Sequence, residues 1–81
     1  MTTTITIPAT DIRPNDTVVK SSEFHGVTVT RRHTVQTVGR VTLHGIEWVT
    51  YNGDLETNVG PAKTDYNAMA RVGETVTVER A

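Results

Sequence analysis

The chain has 81 residues, eight Lys or Arg against nine Asp or Glu, and no cysteine. That length makes a single domain, 1–81, and the missing thiols exclude disulfides and thiolate metal sites, which fits a cytoplasmic location. Near-zero net charge argues against a strong phosphate-binding surface, and no apolar run approaches the roughly 18 residues of a membrane span.

Threonine and valine dominate, alternation of period 2 recurs, and no stripe of period 3.6 reaches helical length, so the chain reads as all-β. Residues 3–7 alternate with Ile5 and Ile7 on one side and predict a first strand. A tight turn follows at Pro14-Asn15. Pro14 presets φ, Asn15 tolerates positive φ, and Asp16 is placed to accept hydrogen bonds from nearby amides. Residues 17–20 predict a second strand. Residues 21–26 predict a polar connection, with Phe24 as a large aromatic at its tip. Residues 27–38 read as a long strand-like run, with Gly39 marking a bulge or bend.

The centre of the chain carries two hairpin signals, His44-Gly45 and Asn52-Gly53, both able to adopt the positive φ angles of a two-residue turn. They predict a three-strand meander over residues 40–43, 46–51 and 54–59. Its buried face would carry Val41, Leu43, Ile46, Trp48, Leu55 and Val59. Its outer face would carry Thr42, Glu47, Val49, Tyr51, Asp54, Glu56 and Asn58. Gly60-Pro61 ends the meander. Residues 64–73 are the least strand-like and suit a helical turn around 66–71, capped by Thr64 or Asp65. Residues 75–79 alternate cleanly, with Val76 and Val78 inward. The expected architecture is a small barrel or a strongly bent antiparallel sheet of five to seven short strands.

The run Asp11-Ile12-Arg13-Pro14-Asn15-Asp16-Thr17-Val18 resembles the D-[LI]-R-P-[GN]-D-x-[VI] opening of SH3-like barrels. Together with the ending Val76-Thr77-Val78-Glu79-Arg80, it resembles small proteins of actinobacteria and their phages. The resemblance covers residues 11–19 and the final strand. It implies an SH3-like barrel and a phage-type accessory protein that contacts a host protein. A similar turn opens a hairpin in Hint and intein-like domains, whose chemistry does not carry over. This chain has no Cys or Ser nucleophile after Met1 and no terminal His-Asn pair.

Residues able to do chemistry are sparse. His25, His33 and His44 show no metal-ligand spacing, and His25 and His44 each precede a glycine, as turn residues do. Ser21 and Ser22 lie outside any nucleophile elbow, Glu47 and Glu56 lack a cleft, and no phosphate-binding glycine loop is present. No catalytic, metal or cofactor site is expected, and the chain reads as non-enzymatic. Protein contact is the first expectation, through Phe24, Val49, Tyr51 and Tyr66 on outward surfaces. Nucleic-acid binding through Arg31, Arg32, His33 and Arg40 is the alternative, with Arg31 and His33 on one face and Arg32 on the other. Homo-oligomerisation through edge strands, as in a virion component, is a third. The basic residues gather before residue 45 and the acidic ones after it, which predicts mutual neutralisation across paired strands.

Overall fold

A computed structural model describes residues 2–80. Six antiparallel strands form one sheet: β1 (Thr3–Pro8), β2 (Thr17–Phe24), β3 (Val27–Leu43), β4 (Ile46–Thr57), β5 (Lys63–Arg71) and β6 (Thr75–Arg80). Their order is β1-β6-β2-β3-β4-β5, with a single 3-10 turn, η1 (Ala9–Asp11), after β1. The all-β reading holds, and of the two expected forms the sheet is the open one, with β1 and β5 as its edges. It is nevertheless curled. Buried side chains from every strand, including Ile7 of β1 and Ala70 of β5, belong to one core cluster. A flat sheet would hold those edge strands five inter-strand spacings apart, about 24 Å.

Two hairpins use the same local device. His25 (φ 50°) with Gly26 (φ 78°), and His44 (φ 52°) with Gly45 (φ 75°), place both central residues in the left-handed region. They close Phe24 on Val27 and Leu43 on Ile46. The second hairpin is the one expected from His44-Gly45. The first extends β2 through residues 21–24, which were read as a connection.

Asn52-Gly53 does not turn. Both residues lie inside β4, neither has positive φ, and the chain runs straight on to Thr57. A straight strand puts Val49, Tyr51, Gly53 and Leu55 on one face, and all four are buried. Burial of three large side chains in register outweighs the local preference for a turn. The expected faces are therefore exchanged. Val49 and Tyr51, assigned outward, are 1% and 3% exposed, whereas Leu43, Ile46 and Val59 lie in solvent. Only Leu55 among the expected large inward residues is buried, and Trp48 is half-buried on the opposite face. The missing turn also explains why β3 and β4 are long, at 17 and 12 residues.

Gly53 serves a different purpose. A Cβ there would stand 1.8 Å from the carbonyl oxygen of Thr34, so the backbones of β3 and β4 meet where only glycine fits. The irregularities of the sheet concentrate at this point. The β3–β4 register shifts between Val35 and Thr37, and the β4–β5 register shifts between Gly53 and Leu55. Bulges bend strands and raise local twist, so this is where the sheet curls. The bulge expected at Gly39 lies at Gln36 instead.

Residues 64–73 form no helix. β5 pairs with β4, with Ala68 opposite Tyr51 and Ala70 opposite Val49. The alternation is real, but the members packed on the core, Ala68 and Ala70, bury well and carry little apolar signal. The other expected strands stand, with Val76 and Val78 buried.

The turn before β2 forms as read: Asn15 adopts φ 75°, and the amide of Arg13 donates to Asp16 Oδ2 at 3.0 Å. Arg80 of β6 adds a two-pronged contact, Nε to Oδ1 and Nη2 to Oδ2, both 2.8 Å. Asp16 is 2% exposed. A buried carboxylate with this many donors is stabilised chiefly by Arg80, whose hydrogen bonds hold its pKa below the ordinary 3.8 despite desolvation.

Two outcomes follow for stability. Gly53→Ala should cost about 3 kcal/mol or more, because the obstacle is backbone and cannot rotate away. Gly39→Ala, whose nearest neighbour is the Thr50 hydroxyl at 3.1 Å, should cost much less. Urea midpoints of the two variants check this order. The Asp16 pKa is lower in the folded chain than in the unfolded one. Its contribution should therefore be complete above the unfolded value and disappear as pH falls through the folded one. Urea midpoints taken from roughly pH 6 to pH 2 should fall steeply for the native chain and more gently for Asp16→Asn.

Candidate functional site

The curl creates two distinct surfaces. The inner face holds the core and, beside it, a pocket of about 250 Å³ between β2–β3 on one side and β4–β5 on the other. Val18 and Leu55 form apolar wall, His33, Tyr51 and Tyr66 contribute rings, and Lys20 and Arg31 are exposed at the rim. Each position follows from register. The His25-Gly26 turn pairs Lys20 with Arg31 and Val18 with His33, so these four share the inner face. β4 then brings Leu55 beside His33, and β5 brings Tyr66 opposite Gly53.

His33 lies between the two tyrosines, with its ring centroid 5.0 Å from that of Tyr51 and 5.7 Å from that of Tyr66. It is 4% exposed, and its Nε2 has no hydrogen-bond partner among the described residues. A buried polar atom left unpaired costs about 1–3 kcal/mol. Burial, and secondarily the charge of Glu74 and the neighbouring Tyr66, push the Tyr51 phenol above its ordinary pKa, so it stays neutral. Lys63 places its ammonium 5.6 Å from the centre of the Tyr66 ring. None of the residues around the pocket is a carboxylate.

The outer face divides sharply. Towards β6 and β2 it is threonine-rich, and Arg32 makes an ion pair with Glu79 there. Towards the β3–β4 hairpin it is apolar. Val41 pairs with Trp48, Leu43 with Ile46, and Met69 lies one strand further on, opposite Thr50. Leu43, Ile46 and Met69 are 43%, 36% and 40% exposed. Arg71 borders this patch, its guanidinium 5.9 Å from the Trp48 ring centre. The patch adjoins a free backbone edge: β2 pairs with β3 only as far as Thr34, so residues 37–43 of β3 have a neighbour on the β4 side alone.

The expected site residues scatter over these surfaces. Val49 and Tyr51 are core, so they offer no outer contact; Tyr51 contributes a ring to the pocket instead. Tyr66 stands at the pocket, and Phe24 is 68% exposed at the tip of the β2–β3 hairpin, edge-on to His25. The basic set does not assemble. Arg31 and His33 share the inner face and Arg32 the outer, as alternation requires. However, His33 is buried, Arg32 is paired with Glu79, and Arg40 lies 3.7 Å from Glu47. Arg32–Glu79 and Arg40–Glu47 join the basic half to the acidic half as expected, the second across the paired strands β3 and β4, whereas Arg80–Asp16 runs the other way, a base of the second half on an acid of the first. Sequence reading missed Lys20 and Val18 in the pocket. Treating His25-Gly26 as a two-residue loop sets their register against Arg31 and His33 and would have found them.

Among the described residues no group of three or more His, Asp or Glu side chains could hold a metal ion, and no helix is long and apolar enough to cross a membrane. The chain is thus a curled, open six-stranded antiparallel sheet with an aromatic pocket on one face and an apolar patch on the other. Set against protein-family models, curated proteins and solved structures, it matches none.

Replacing His33 should reveal the cost of its unpaired nitrogen. His33→Phe keeps a planar ring between the tyrosines and removes the orphan atom, so it should stabilise the fold by about 1 kcal/mol. A raised urea midpoint with an unchanged slope checks this; a lowered one would mean that Nε2 is satisfied in solution.

Proposed function

We propose that this chain is a non-enzymatic, cytoplasmic binding module that engages a protein partner. The observation that carries this reading is the coincidence of an exposed apolar patch with a free strand edge. Leu43, Ile46, Trp48 and Met69 supply the area, and residues 37–43 supply unpaired backbone donors and acceptors beside it. An extended segment of a partner can add to that edge and seat alternate side chains on the patch. Arg71 at the border, with no ion-pair partner among the described residues, favours a segment with an acidic flank.

A second copy fits this edge less well. Antiparallel self-pairing centred on residues 37–43 sets Arg40 against Arg40, and like charges directly opposite are destabilising. The phage-type, SH3-like ancestry implied by residues 11–19 and the final strand points to a protein of a bacterial host as the partner class. Nucleic acid is a weaker reading, because two of the three arginines it requires, Arg32 and Arg40, are paired with Glu79 and Glu47 and His33 is buried.

The test compares capture from an actinobacterial lysate by three forms of the chain. They are the native protein, a Leu43→Lys/Ile46→Lys variant, and a Thr28→Lys/Thr75→Lys control with the same added charge on the polar part of the outer face. A defined protein should be retained by the native and control forms, and its retention should fall about tenfold or more with the patch variant. Equal retention by all three, or none by the native form, would end this reading. A closed dimer in light scattering that Leu43→Lys/Ile46→Lys dissociates would assign the patch to self-association instead.

A further inference from the structure

We infer that the inner-face pocket is a binding site for a small, single-ring aromatic carboxylate. This inference concerns the face opposite the apolar patch and stands independently of the protein-binding reading. Four observations converge on the class of ligand. The walls carry Tyr51, His33 and Tyr66, whose rings present flat apolar surface to another ring. The rim carries Lys20 and Arg31, neighbours across β2 and β3, and neither makes an ion pair among the described residues. No carboxylate lines this pocket, and Glu74, which shares the adjoining hollow with Lys20 and Arg31, pairs with neither, so two cations face one carboxylate and the rim favours an anion. Finally, the 250 Å³ volume lies below the usual range for drug-sized ligands and suits one ring with its substituents.

His33 gives the site its particular chemistry. It is 4% exposed, forms part of the wall, and keeps Nε2 unpaired. Core positions of this kind are normally filled by an apolar ring, as Val35 and Val49 fill theirs with aliphatic groups, or by a polar group with its partner in place. A ligand with a polar ring substituent supplies the missing partner. The carboxylate then meets Lys20 and Arg31, the ring packs against Tyr66 and Tyr51, and the substituent reaches Nε2 as the surrounding side chains part, that nitrogen being closed to solvent in the free chain. His33 and Tyr51 are fixed in the core on neighbouring strands, and Tyr66 beside them is 36% exposed on the edge strand β5.

The test is a titration of the full chain followed by amide chemical shifts, with 4-hydroxybenzoate as probe. Saturable shifts should appear at the pocket residues, with an affinity in the high micromolar to low millimolar range expected of so small a ligand. The neutral amide, 4-hydroxybenzamide, should bind about tenfold more weakly, since it lacks the charge that Lys20 and Arg31 meet. Lys20→Gln/Arg31→Gln, altered only at the exposed rim, should lose about the same factor for the carboxylate and leave the amide unchanged. His33→Phe should remain folded and bind unsubstituted benzoate as well as the native chain does, while losing its preference for the hydroxylated ring. Absence of saturable shifts, or equal binding of carboxylate and amide, would overturn the inference. So would a short oligothymidylate that binds the pocket far more tightly than the carboxylate, which would make the site a nucleic-acid contact.

Discussion

At Gly53 two backbones come closer than any side chain allows, with the carbonyl of Thr34 occupying the place a Cβ would take. The rest of the molecule is arranged around that approach. Both strand registers shift within two residues of it, and the sheet curls there instead of running flat. Curling gathers side chains from all six strands into one core, which a chain this short needs, since small domains bury a smaller fraction of their surface than large ones. The same bend separates an inner face, with its ring-lined hollow, from an outer face on which Leu43, Ile46 and Met69 are exposed.

How much of this is legible in the sequence depends on which force decides at each position. Where local chemistry decides, reading works. The Pro14-Asn15 turn, the Asp16 carboxylate receiving amide hydrogens, the His44-Gly45 hairpin and the inward Val76 and Val78 all appear as expected. Asn52-Gly53 fails because glycine serves two purposes that look identical in a sequence, positive φ and the close approach of a neighbouring chain. Only knowledge of which strand passes Gly53 separates them. Once that turn is assumed, parity forces Val49 and Tyr51 outward, so one misreading exchanges both faces. Residues 64–73 fail for another reason. Their core-packed positions, Ala68 and Ala70, are alanines, which satisfy a crowded interior beside Tyr51 and Val49 yet favour a helix by intrinsic propensity. The pocket was hidden because it is assembled from β2, β3, β4 and β5, and its register depends on both of these decisions.

Charge is used sparingly and mostly internally. Arg32, Arg40 and Arg80 are committed to Glu79, Glu47 and Asp16, and the Arg80 pair joins the last strand to the turn that starts the second. Of the other five cations, Arg13 lies in the turn before β2, Lys20, Arg31 and Lys63 border the inner-face pocket or its Tyr66 ring, and Arg71 stands on the outer face. A nearly neutral protein thereby carries local positive charge on both faces without the long-range field of a strongly basic one.

The strand order β1-β6-β2 has a consequence for how the chain is made. Among the described residues β1, made before the other five strands, has β6 as its sole sheet neighbour, and β2 also waits for β6 on one side. Until Thr75–Arg80 emerges, the nascent polypeptide can hold only its β2–β5 ribbons, with Ile7 and Val18 uncovered. Docking of that final segment is a non-local step that converts an incomplete, adhesive intermediate into a closed core at once, so the interval before it is when molecular chaperones would matter most.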